Sequence, residues 1–102
     1  MKAVRPDKEA EEELLAAARW YDDKRLGLGR ELLDAVETAL TRIAEQPSAW
    51  PIVPRVPANL NVRRRAVERF PYWIVFVELP IEIRVLAIAH ERRRPGYWMN
   101  RV

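Results

Sequence analysis

The chain has no cysteine, a single histidine, three glycines and, beyond Lys24, no lysine at all. Without cysteine there is no disulfide framework, no thiolate nucleophile and no sulfur-ligated metal. One histidine cannot build a zinc site unless carboxylates join it, so neither a metal nor any other cofactor is expected. Gly27, Gly29 and Gly96 do not form a glycine-rich loop of the kind that cradles phosphates. There is no serine–histidine–aspartate set in a sensible context and no pair of acids at the end of a strand, which argues against metal-dependent hydrolysis and nucleotide binding. No apolar run approaches the ~20 residues needed to cross a bilayer, so no membrane partner is expected. The opening MKAVRPDKEAEEE lacks the apolar core of a signal peptide, and the expected compartment is the cytoplasm.

What the chain does have is 102 residues, enough for one domain with a single core over 1–102. Its charge is uneven. Residues 1–50 carry eight basic and eleven acidic side chains, a balance of −3, whereas residues 51–102 carry ten basic and four acidic ones, a balance of +6. All ten of those later cations are arginine, whose planar fork suits phosphate and carboxylate recognition better than the point charge of lysine. A basic half of this kind suits an acidic partner, nucleic acid or an acidic protein segment, or else is simply a solvated arginine-rich surface.

Lys2 to Arg5 reads as a short strand ended by Pro6. Asp7 is placed to cap a helix with its carboxylate, and Glu9 and Glu11–Glu13 suit the positive end of the helix dipole. Leu14, Ala17, Ala18 and Tyr21 recur at helical spacing, which predicts a helix over Lys8–Asp23. Lys24–Leu28 is a tight turn. A second helix is predicted over Arg30–Glu45, with Leu33, Val36, Leu40 and Ile43 as its apolar stripe and Pro47 as its stop. Two helices with so short a link form an antiparallel hairpin.

Four of the eight prolines fall between Pro47 and Pro57, which predicts an extended connector. Strands are then predicted over Val62–Val67, Tyr72–Leu79 and Ile83–Ala89, with Pro80 at the hairpin between the last two. YWIVFVEL is nearly continuous in aromatic and β-branched residues, as in a strand covered on both faces. The order β-α-α-β-β-β predicts an α+β domain, a helical hairpin packed on a small antiparallel sheet.

The last fifth, LAIAHERRRPGYWMNR, concentrates the candidate chemistry. Alternation puts Arg84, Leu86, Ile88 and His90 on one face. His90 is either a half-exposed acid, base or phosphate contact, or a histidine bonded to nearby backbone. Arg92, Arg93 and Arg94 beside Tyr97 and Trp98 form a pattern that grips phosphates and stacks bases, or one that folds back to close a small domain. Trp98 is expected to pack. In Arg63-Arg64-Arg65, alternation puts Arg63 and Arg65 on one face and Arg64 on the other. With Arg69 these form a cationic groove or an edge strand guarded by charge. Of the adjacent Trp20 and Tyr21, one must lie near the surface, where an aromatic can anchor a partner.

With those residues in view, the chain resembles the RelE/ParE family of toxins from bacterial type II toxin–antitoxin operons. The resemblance rests on Ala10-x-x-Glu13-Leu14, Trp20-Tyr21, Gly27-Leu28-Gly29, Ile43 followed by Pro47, Phe70-Pro71-Tyr72, and Ala87-Ile88-Ala89-His90 followed by Arg93, Pro95, Tyr97 and Trp98. It implies a growth-inhibiting toxin held silent by a cognate antitoxin in a hetero-oligomer that meets operator DNA only through that antitoxin. It also implies one of two targets. ParE-like members inhibit DNA gyrase. RelE-like members cut messenger RNA on the ribosome. The Trp-Tyr, Gly-Leu-Gly and Phe-Pro-Tyr pattern and the missing lysines favour the ParE side, a binding protein rather than an enzyme. On that reading Leu14, Trp20, Tyr21, Arg63, Arg65 and Arg94 are the expected antitoxin contacts, and Arg69, Arg92, Arg93 and Tyr97 the expected target contacts. On the endoribonuclease reading Arg64, His90, Arg93 and Tyr97 would carry the chemistry without a metal.

Overall fold

In the computed structural model, which describes all 102 residues, the chain forms β1 (Ala3–Pro6), α1 (Lys8–Lys24), α2 (Leu28–Glu45), β2 (Val62–Ala66), β3 (Tyr72–Glu78) and β4 (Glu82–His90). The sheet order is β1-β4-β3-β2. β2, β3 and β4 are antiparallel neighbours, as expected, while β1 joins β4 in parallel and makes the sheet mixed. The long connection between β1 and β4, which holds the hairpin, β2 and β3, is what makes a parallel pairing possible.

One apolar layer fills the space between hairpin and sheet, with Leu32, Val36, Ala39 and Ile43 of α2 against Ile74, Phe76 and Val85. The buried stripe of α2 therefore runs through Leu32 and Ala39, whereas Leu33 is only half-buried and takes no part in this cluster. The other face of the sheet is covered too. Val53 from the connector and Trp98 from the C-terminal segment close over Val62, Val75, Leu86 and Ala87. Coverage on both faces explains why β3 is apolar throughout. The connector is not uniformly extended. It holds short 3-10 turns at Pro47–Ala49 and Ala58–Leu60, and Ile52 bridges Arg63 along the outer edge of β2.

The tight hairpin turn depends on two glycines. Gly27 takes a left-handed conformation (φ 93°) that costs glycine nothing. Gly29 lies so close to α1 that an added Cβ would fall 2.4 Å from the Ala18 carbonyl oxygen. Asp22 of α1 accepts from the Gly29 amide at 2.8 Å and so caps the neighbouring helix.

Two expectations change at β4. Val75 pairs with Ala87 but Phe76 pairs with Val85, so Leu86 is an extra residue, a β-bulge. Leu86 and Ala87 both reach the open-face layer, and Ile88 returns to the helix side. Arg84, Leu86, Ile88 and His90 therefore do not share one face. Nor does the Asp7 carboxylate cap α1. It is 8% exposed and accepts two bonds from Arg84, each 2.8 Å, so the charge-assisted fork replaces the cap.

Candidate functional site

β1 ends at Pro6, opposite Val85, and leaves the rest of β4 without a strand neighbour on that side. Side chains take over the vacant edge. Glu13 Oε1 accepts from the Ile88 amide at 3.0 Å, and Arg101 donates to the Leu86 carbonyl at 3.0 Å. Glu13 and Arg101 also pair with each other at 3.1 Å, both largely buried. The Tyr97 hydroxyl donates to Glu13 Oε2 at 2.6 Å. Arg84 adds a further bond to the Arg101 carbonyl. One carboxylate on α1 thus organises the last turn of the chain, Met99–Arg101, against the sheet.

Two guanidinium groups approach the Tyr97 ring, Arg93 at 3.8 Å and Arg101 at 5.2 Å from its centroid. Burial, with the Glu13 carboxylate as its bonding partner, holds the phenol above its ordinary pKa of 10. His90 Nδ1 accepts from the Arg92 amide at 3.1 Å, and its ring meets Tyr72 edge-on.

Two grooves flank this end of β4. The first, of about 690 Å³, runs between α1 and the ends of β3 and β4, over Ala16, Trp20, Tyr72, His90, Arg92 and Arg93. Trp20 is 56% exposed on its wall, while Tyr21 packs its ring on Phe70. Burial raises the pKa of Tyr21 and Tyr72 alike above the ordinary phenol value of 10. The second groove, of about 650 Å³, lies on the opposite side of the sheet, under the connector and the C-terminal segment.

The expected antitoxin contacts are thereby dispersed. Trp20 and Tyr21 line the first groove, and Leu14 packs against the core beneath α1, leaving Leu15 as the more exposed side chain. Arg63 and Arg65 both turn to Trp50 at the β2 edge, one donating to its carbonyl at 2.7 Å and the other stacking 4.7 Å over its ring. Arg94 lies on the second groove. Of the expected target contacts, Arg92 and Arg93 line the first groove, Tyr97 lines the second, and Arg69 is turned away to a 2.8 Å ion pair with Glu31. Arg64, His90, Arg93 and Tyr97 all line the second groove.

Arg101 and Arg55 were not singled out in the sequence, and Glu13 entered only as a first-turn acid and a motif position, not as the partner of the C-terminal segment. Glu13 had a signal. It lies three residues after Ala10 and four before Ala17, both buried, so a lone carboxylate stands on the inward face of an otherwise apolar stripe. Arg55 and Arg101 carried none, because their placement depends on how irregular chain folds over the sheet.

The sequence matches the family described as ParE toxin of type II toxin–antitoxin system, parDE, over residues 4–95. Among solved structures the fold is similar to a chain of the chromosomal ParDE TA system from P. aeruginosa, with a TM-score of 0.66 and 22% identity. That likeness covers 88% of this chain and 96% of the other. No curated protein matches the chain.

Proposed function

The chain belongs to the ParE toxin family of type II toxin–antitoxin systems, and from that premise we propose that it arrests growth by binding DNA gyrase and is silenced by a cognate antitoxin. The observation that carries the binding reading is the placement of Tyr97. Its hydroxyl is committed to Glu13 and its ring is covered by two arginines, while Nδ1 of His90, the other proton-carrying group in the second groove, accepts from the Arg92 amide. The groove thus offers grip more readily than acid–base chemistry. Capture of purified gyrase on immobilised toxin tests this directly. Saturable binding is expected, and no binding by toxin that still kills cells overturns it.

For the antitoxin, the first groove supplies the seat. It has small residues on α1, an exposed Trp20, and Arg92 and Arg93 beside Glu91, with Glu13 already bonded to Tyr97 and Arg101. An amphipathic segment with acidic residues along one side fits that lining.

The second reading, a ribosome-dependent endoribonuclease, draws on the convergence of Arg64, His90, Arg93 and Tyr97 in one groove. Translation of ready-made messenger RNA in a cell-free reaction separates the two. New RNA ends at ribosome-occupied codons would establish the endoribonuclease.

A further inference from the structure

The end of the sheet away from both grooves is apolar where turns are ordinarily polar. β3 and β4 are joined through Leu79, Pro80 and Ile81, and the Leu79 amide closes the turn by donating to the Glu82 carbonyl at 2.8 Å. Glycine, asparagine, aspartate and serine are the usual residues at such a tip. Here Ile81 is 84% exposed, with Leu79 and Pro80 exposed beside it. The parallel register of β1, with Ala3 opposite Glu82, brings the 91% exposed Met1 alongside. None of these four side chains belongs to either apolar layer of the fold. The carboxylates at the base of the tip are both neutralised, Glu78 by Lys2 at 2.7 Å and Glu82 by Arg5. An uncharged apolar finger therefore projects from a chain that is otherwise rich in exposed charge.

We infer that this tip anchors the toxin to its protein target, with Leu79 and Ile81 seated in an apolar, uncharged pocket of that protein. The inference rests on the gyrase reading for the identity of the target, and it adds where on this chain gyrase is held. Proline fixes its own φ and β-branched isoleucine has few rotamers, so little freedom is lost when the tip is buried. Other occupants fit less well. Two convex tips cannot enclose one another, and a tip seated in a groove of a second copy makes a head-to-tail contact that builds rings or open filaments. A membrane surface calls for free cations beside the apolar residues, whereas Lys2 and Arg5 are bonded to Glu78 and Glu82. His90, on the first groove, is eight residues along β4 from Glu82, roughly 25 Å away, so a segment seated in that groove does not compete for the tip.

The test is capture of purified gyrase on immobilised intact toxin, run beside antitoxin binding by calorimetry and killing of growing cells at matched expression. Leu79→Ser with Ile81→Ser should lower gyrase affinity at least about tenfold and abolish killing. Antitoxin affinity should stay as it was, which also shows that the variant is folded. Both side chains lie outside the core, so folding is spared. Leu26→Ser, at an 89% exposed leucine in the turn between the helices, should change none of the three readings. Undiminished gyrase affinity in the double variant overturns the inference. So does self-assembly of the toxin alone, or its binding to phosphatidylglycerol vesicles, that the double variant loses. If the unaltered toxin kills without capturing gyrase, the gyrase reading fails and the same variant still decides the tip. Killing lost with antitoxin binding kept supports an anchor on a different protein, and killing retained overturns it.

Discussion

At the scale of single residues, Glu13 decides how the C-terminal segment behaves. Four bonds converge on its carboxylate from Ile88, Tyr97 and both terminal nitrogens of Arg101. Tyr97→Phe removes one charge-assisted bond and should cost about 1.5–3 kcal/mol in denaturant unfolding. Glu13→Gln should cost at least as much, since it also strands Arg101. The gyrase reading adds a functional expectation. Tyr97→Phe, which keeps the ring and loses only the hydroxyl, should leave cell killing intact once expression is matched. Loss of killing by Tyr97→Phe, in a protein shown to be folded, would favour RNA cleavage, whereas Arg93→Ala removes a group that both readings use.

Titration offers a second handle on the same bond. The folded state holds the Tyr97 phenol above 10, so it favours the protonated form. The stabilisation is therefore complete below pH 10 and is lost as pH climbs through the raised folded value. In an ultraviolet phenolate titration Tyr97 should ionise only as the protein unfolds, and Glu13→Gln should bring its ionisation to lower pH.

At the scale of elements, the hairpin is the most constrained part of the fold. Gly29→Ala would press a methyl group into the Ala18 carbonyl and should destabilise by about 1–3 kcal/mol, despite alanine's higher helix propensity. Trp20→Ala should do the reverse. Being mostly exposed, Trp20 should matter little to stability, within about 0.5 kcal/mol. As an interface anchor its loss should weaken antitoxin binding by at least about 2 kcal/mol, readable by calorimetry. Unchanged affinity would place the antitoxin elsewhere.

These elements also show what could be read in advance. Both helices, the turn glycines, the three antiparallel strands and the packing of Trp98 followed from periodicity and residue type. The register along β4 did not. A bulge at Leu86 leaves no mark on an apolar run whose two faces are both buried, since either facing looks equally apolar. The arginine of an ion pair is equally hard to foresee. Nothing in Asp7 or Arg84 alone says that they meet across 77 residues of chain. The candidate groove was legible as a set of residue types near the C-terminus. Arg55 joined it only because the connector folds over the sheet.

At the scale of the whole molecule, charge is sorted by location. The most buried ion pairs, Arg84–Asp7 and Arg101–Glu13, tie the C-terminal half to α1 and its lead-in, whereas Arg55, Arg64, Arg93 and Arg94 line the second groove without a carboxylate partner. Hydrogen bonds from Arg69 and Arg25 hold Glu31 below the usual carboxylate value of 4.5, and Arg5 does the same for Glu82. Each stabilises the fold above that value, and the contribution disappears as pH falls through the lowered one. Thermal stability should therefore drop on acidification below pH 4.5. Because both groups are solvent-facing, the drop should shrink in high salt.

The central claim is that this chain acts on gyrase. Its most direct test is the supercoiling of relaxed plasmid by purified gyrase with the toxin added, alone and premixed with its antitoxin. The account predicts loss of supercoiling that the antitoxin restores. Undiminished supercoiling, by a preparation that still arrests growing cells, would contradict it.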